Sequence, residues 1–259
     1  PYDFRNPKGD ARQVTGGVRW TGLARDINYS VSYLKTFWPS PMLNPASTLK
    51  LFGLPTTPSG AMTLGRPNSL GVAGDLIHPT VDVFGATASG YAGWADAVFS
   101  TEVALIKDAP YQFQNGPLAG PLSQAVAPGF DGLKRKDLLA WMLRMDKNIA
   151  ATQSLLGTEK PMFFSVQLFD KWLMDYDKGE RLLNAVGAGQ LTKEHSMLLT
   201  AIFDLSYDNG RVKPNLVVGT DLTYGGGFLV PSVTMELNKQ WRWKVEYDKF
   251  WDDNYRKLS

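Results

Sequence analysis

The sequence contains no cysteine. That excludes disulfides and thiolate metal sites, and it leaves the cell compartment open. Histidine is nearly missing too: His78 and His195 stand alone, so a transition-metal centre is not expected, and neither is any other cofactor. No window approaches the roughly 18 uninterrupted apolar residues of a membrane-crossing helix. Charge of one sign is also scarce, with 27 basic against 25 acidic residues for a formal net charge of +2. There is no basic stripe to hold nucleic acid and no acidic tail. Charged residues make up only 20% of the chain, below the usual share of about a quarter.

What fills the chain instead is glycine, proline and large aromatics, 25 Gly, 16 Pro, 8 Trp and 10 Tyr. The aromatics fall in a pattern. In "QWRWKVEYDKFW", residues 240 to 251, Trp241, Trp243, Val245, Tyr247 and Trp251 occupy one parity, broken only by Lys249. Arg242, Lys244, Glu246 and Asp248 occupy the other. Side chains alternate across a β-strand, so one face is oily and the other densely charged.

The same period of two runs from end to end. In "RQVTGGVRWTGLAR", Val14, Val18, Trp20 and Ala24 oppose Gln13, Thr15, Arg19 and Thr21. Asp26 turns the chain into "INYSVSYLKTFW", which predicts an antiparallel hairpin. Alternation resumes around 80 to 92 with an unclear phase, and is plain in "ADAVFSTEVALI". "DLLAWMLRMD" sets Leu139, Trp141, Leu143 and Met145 on one side, and is read as a strand although an amphipathic helix also fits. Met197 to Tyr207, including Phe203 and Leu205, then the segments after "DNG" and "GGG", complete about ten predicted strands. Long Pro/Gly-rich loops are predicted at 39–79 and 108–132, and a loop with helical character at 177–194. Tight turns at Asp26, "DNG" and "NKQ" alternate with them.

A soluble sandwich and a membrane barrel both produce such alternation. Three features favour the barrel. The strands are ten to twelve residues long, enough for a tilted bilayer crossing. Aromatics such as Trp38, Trp94, Trp172, Tyr224 and Trp251 sit near strand ends, as interfacial girdles require. Gly and Ala occur freely on the presumed lipid face, where no core must be filled. The expectation is an all-β, antiparallel transmembrane β-barrel, one domain over 1–259, with short turns on one rim and long loops on the other.

On that reading Trp20, Trp141, Leu143, Phe203, Leu205, Trp241, Trp243 and Val245 face lipid. Arg19, Arg144, Asp146, Asp221 and Glu236, with Arg242, Lys244, Glu246 and Asp248 of the last strand, line the lumen. These charges either form a selectivity lining or pair across neighbouring strands to hold the wall. No enzyme is expected. Asp75 and His78 in "GDLIHP" lack a G-x-S-x-G elbow, and His195 belongs to a rim. The acidic pairs "DYD" at 175 to 177 and "WDDN" at 251 to 254 are read as solvated rim charges rather than a Ca²⁺ site.

The stretch "APGFDGLKRKDLLAWMLRMDKN", with "VFGATASGYAGWADAVFSTEVALIKDAPYQ" before it and "FFSVQLFDKW" after it, resembles a family of proteobacterial outer-membrane barrels catalogued as a domain of unknown function. The resemblance covers about residues 75 to 255. It implies longer proteins with an N-terminal signal and a C-terminal aromatic ending. This chain runs from Pro1 to "NYRKLS", and so is expected to be a C-terminal or incomplete part. It further implies genes beside RND-type transporters and lipoprotein-sorting-like proteins, hence a porin-like channel or transport component for small, hydrophobic or lipidic molecules. The expected location is the outer membrane of a Gram-negative cell, with the bilayer and lipopolysaccharide as partners. The alternative is a structural anchor whose long loops, carrying Leu43, Leu51, Phe52 and Leu54, bind other envelope proteins.

Overall fold

The computed structural model describes residues 15–43, 76–113, 133–183 and 191–252. Its strands are β1 (Gly16–Ala24), β2 (Ile27–Phe37), β3 (Met42–Leu43), β4 (Leu76–Ile77), β5 (Thr80–Ala92), β6 (Ala97–Phe113), β7 (Leu133–Ile149), β8 (Met162–Leu173), β9 (Leu182–Leu183), β10 (His195–Asp204), β11 (Val212–Asp221), β12 (Gly226–Glu236), β13 (Arg242–Glu246) and β14 (Lys249–Asp252). A six-residue helix, α1 (Ala151–Leu156), lies in the connection between β7 and β8.

The main sheet is an antiparallel meander in the order β1-β2-β5-β6-β7-β8-β10-β11-β12-β13. Strand β14 continues along β12, and β9 attaches to β6. The β12 register runs unbroken through Glu246 and Lys249, and Tyr247 N–H donates to Pro231 O at 3.1 Å. The last strand is therefore continuous in pairing across Tyr247 and Asp248. The sheet is open, its outer edges being β1 and the β13–β14 strand.

Directly paired residues share a face of the sheet, so the register sorts every strand. Trp20, Val31, Ala86, Val103 and Trp141 form one cross-strand row. Leu143, Leu168 and Leu199 belong to another, and Phe203, Leu216 and Pro231 to a third. Val233 faces Val245, and Met235 faces Trp243. All lie on one face, which is oily through the middle of the sheet and carries Asp82, Lys107 and the buried Asp170 only toward one rim. The opposite face carries Asn28, Ser89, Ser100, Arg144, Gln167 and Thr200 in one row. The unclear phase at 80 to 92 resolves the same way, with Phe84, Ala86 and Ala88 on the oily side.

No second layer covers the oily face among the described residues. Val18, Trp20, Leu143, Trp243 and Val245 are each more than half exposed. The apolar residues that are fully buried, such as Ala109, Leu173, Leu182 and Leu183, gather at one rim instead.

Tight connections mark the other rim. Arg25 and Asp26 take φ values of 48° and 63°, the left-handed pair of a type I′ hairpin turn. Asp208, Asn209 and Gly210, all at positive φ, turn β10 into β11. "DLLAWMLRMD" is a strand within β7, as its alternation predicts. Of the loop expected at 108–132, Asp108–Phe113 belongs instead to β6. Residues 114–132 lie outside the described segments, as do 44–75, with Leu51, Phe52, Leu54 and Asp75 among them. The described part of 177–194 is not an α-helix. It holds a one-turn 3₁₀ helix, Lys178–Glu180, followed by β9.

Candidate functional site

The polar face is the surface with chemistry to offer. Its small side chains bond across strands: Ser30 Oγ lies 2.7 Å from Thr87 Oγ1, and Ser89 Oγ 2.8 Å from Ser100 Oγ. A cavity of about 330 Å³ opens among them, lined by Arg19, Thr21, Asn28, Ser30, Thr87 and Glu102.

All nine charged positions singled out from the sequence fall on this face. Arg19 opposes Ser32 in β1, and Asp221 opposes Gly226 in β11. Asp146 stands opposite Ser165, and Glu236 opposite Arg242. Their bonds run mostly along strands rather than across them. Arg144 Nε donates to Asp146 Oδ1 at 2.8 Å, and Lys244 Nζ to Glu246 Oε2 at 2.5 Å. Both pairs are two residues apart on one face. Glu236 takes Lys213 at 3.2 Å. Asp221 accepts the backbone N–H groups of Thr223 and Tyr224 at 2.8 Å each, fixing the β11–β12 turn. Asp248 sits between β13 and β14.

The eight apolar positions fall on the other face. Leu205 lies one residue beyond β10 and prolongs its pairing, donating to Pro214 O at 2.9 Å. Trp241 stands one residue before β13, in the turn.

The polar face also carries a structure that strand alternation did not reveal. In β6 the register shifts between Ile106 and Ala109, so Lys107 and Asp108 together oppose Asp137. Asp108 takes φ 57°, and Lys107 pairs with Asp137. This bulge inserts one residue and reverses the faces of the rest of the strand. Ala109, Tyr111 and Phe113, of the parity that is oily earlier in β6, turn onto the polar side. There Phe113 packs with Leu173 and Leu182, flanked by Tyr111 and Tyr176.

Leu182 arrives from the β8–β10 connection, which crosses the polar side of β7. Lys136 Nζ donates to Asp175 O at 2.8 Å. Glu180 lies between two lysines of β7, 2.7 Å from Lys136 and 3.2 Å from Lys134. Burial works to raise the Glu180 carboxyl, but the two lysine bonds outweigh it and hold the group below the usual glutamate range. Beyond Glu180, β9 pairs with Gln112 and Phe113. The return leg is tied by Thr192 N–H to Leu182 O at 2.7 Å and by Tyr176 Oη to Thr192 O at 3.0 Å. Lys193 N–H donates to Tyr224 Oη at 3.1 Å. The sequence shows no sign of the change, because "APYQF" continues the alternation on the same parity and only the bulge turns it over.

The histidines are occupied structurally. His78 Nδ1 lies 3.0 Å from Trp38 O. His195, the first residue of β10, places Nδ1 2.7 Å from the buried Asp170 Oδ2 and stacks on Trp172 at 5.7 Å. In the "DYD" cluster Asp177 caps the 3₁₀ turn, accepting Gly179 N–H at 2.8 Å. Asp253 and Asn254 lie outside the described residues. Among the described residues no three acidic or imidazole side chains are placed to share a metal ion.

No curated protein and no solved structure matches the chain. A family model does match, over residues 4–259, a wider span than the 75 to 255 of the resemblance. The chain belongs to the family described as protein of unknown function (DUF1302).

Proposed function

We propose that this chain builds the wall of an outer-membrane β-barrel, with the oily face toward lipid and the polar face lining a passage for solutes. The observation that carries the reading is the single antiparallel layer whose oily face runs across ten consecutive neighbours with no second layer over it among the described residues. In water that face would demand a second sheet or helices. In a bilayer it is matched by hydrocarbon, and the strands, mostly nine to thirteen residues, suit a tilted crossing.

The connections support it. The rim carrying the turns at Arg25–Asp26 and Asp208–Gly210 also carries the four residues between β5 and β6. The opposite rim carries the connections 38–79, 114–132 and 174–194. The longest connections thus share one rim, as in outer-membrane barrels, while the twelve residues between β7 and β8 lie on the other rim and the short β11–β12 turn lies with the long connections. Aromatic pairs sit near both rims, Trp94 on Phe99 and Trp172 on His195, where interfacial rings belong. An open edge is not tolerated in hydrocarbon. β1 and the last strand run in opposite directions, so they close the wall on each other or on further strands.

The passage reads as one for small solutes that hydrogen-bond to hydroxyl, amide and guanidinium groups, supplied by Ser30, Thr87, Ser100, Gln167 and Arg144. Hydrophobic or lipidic cargo enters this reading only through the family resemblance. Planar-bilayer recordings of the purified protein test it. Discrete conductance steps, or block by a solute, are expected. A folded, inserted protein that stays silent at every voltage and with every solute class refutes transport and leaves the role of a membrane anchor.

A further inference from the structure

The β8–β10 connection lies against the polar face, and a long loop of a membrane barrel gains nothing by lying there unless it occupies the passage. Three attachments hold it in place. Glu180 bridges Lys134 and Lys136 at 3.2 and 2.7 Å. Leu182 is 1% exposed and seated against Phe113 and Leu173. β9 adds a short antiparallel pairing to the end of β6, beyond the point where β5 has left it. The Lys107–Asp108 bulge makes this possible, since without the change of parity Phe113 would stand on the oily side. A device with an ion-pair lock, an apolar seat and a dedicated bulge is built into the wall.

We infer that the segment Met174–Leu183 is a fixed strap across the passage at the long-loop rim, a constriction that sets which solutes pass. This rests on the transport reading. The strap narrows the opening by standing in front of β6 and β7. Asp175, Asp177 and Lys178 of the strap are exposed, so the constriction carries mixed charge. Glu180 is a positioning residue: it holds the strap down and need not touch cargo.

The test uses the full chain in planar bilayers, with folding of each variant checked by its shifted gel migration before and after boiling. Glu180→Lys sets three cations against one another where one anion bridged two, and should free the strap. The expected result is a several-fold rise in unit conductance and the entry of larger neutral sugars. Should that variant fail to fold, Lys136→Met weakens the same lock and should give the same change in smaller measure. A cysteine pair, Phe113→Cys with Leu182→Cys, is placed at register partners, and the chain has no other cysteine. In the Glu180→Lys background, oxidation of that pair should return conductance to the wild-type level, and reduction should release it again. A conducting wild type whose conductance Glu180→Lys does not change, or a rise that survives the disulfide, overturns the strap and leaves transport standing. Silence of wild type and all variants overturns transport and the strap together.

Discussion

Leu143→Arg separates a bilayer-facing sheet from a water-facing one by the size of its effect. Leu143 lies in mid-β7, between Trp141 and Met145 on the oily face, with Thr101 and Leu168 as its cross-strand partners. It is 52% exposed, and no second layer covers it among the described residues. An arginine would therefore meet solvent rather than a packed core, and the outcome depends on what that solvent is. In water an exposed strand substitution of this kind changes stability by about 0.5 kcal/mol or less. Near the middle of a bilayer it costs about 2–4 kcal/mol, a shift of roughly 30-fold to nearly 1,000-fold in the folded population. The control is Gln167→Ser on the polar face, which exchanges an amide for a hydroxyl and should be nearly neutral. Urea titrations of both variants in lipid vesicles, followed by tryptophan emission and by migration of unboiled samples, read the difference. If Leu143→Arg unfolds at the wild-type urea concentration, or if the wild type is folded and monomeric in plain buffer, the oily face does not meet lipid. A soluble dimer burying the same face would also suffer from the arginine, but it would not need detergent or vesicles.

Other parts of the sheet give three more expected outcomes. A Cβ on Gly227 would stand 2.4 Å from both Gly219 O and the Trp251 ring, so Gly227→Ala should destabilise by about 1–3 kcal/mol, read as a lowered urea midpoint, while Gly16→Ala, with open space around it, should not. The His195 ring is the described partner of Asp170, which is 3% exposed. His195→Ala should therefore cost about 1–3 kcal/mol by leaving a buried carboxylate oxygen unmet, and His195→Gln should recover part of it. Glu180, held below its ordinary range, stabilises the docked strap at every pH above the unfolded glutamate value, and that contribution is lost as pH falls through the lower folded value. Limited proteolysis near Lys178 should thus stay slow at neutral and mildly acidic pH and quicken only in stronger acid, whereas Glu180→Gln should be cut faster at neutral pH and lose the acid dependence.

The faces of the strands were legible because a period of two leaves no freedom. Once Trp20 and Val245 are oily, Arg19 and Lys244 must be on the other side, and the register brings all such positions together. The pairing of charges was less legible. Alternation gives the face of Arg144 and Asp146 but not their bond along the same strand, which depends on side-chain reach within one row of the wall. The family could be recognised from a few segments because strand texture and the "RKDLLAWMLRMDK" run survive without any knowledge of the loops.

The strap escaped for a physical reason. Period-two reading assumes a constant phase, and one inserted residue at Lys107–Asp108 exchanges the faces of everything after it. Pro110 then resembles a loop signal, although proline is tolerated next to a bulge. Ala109, Tyr111 and Phe113 thus look like the end of a strand and the start of an irregular segment. They are instead the seat for Leu182, some seventy residues later, and no local pattern links the two. The short span of the contact explains the rest. Leu182 and Leu183 are only two residues of strand, too few to register as alternation, and Glu180 finds its lysines across a chain separation that no helix or hairpin periodicity covers. Membrane-wall positions repeat and can be read from sequence, whereas the feature proposed to select solutes is set by one phase slip and one ion-pair bridge. A substitution that removed the bulge would turn Phe113 outward, and the strap would lose its seat with every strand of the wall still in place.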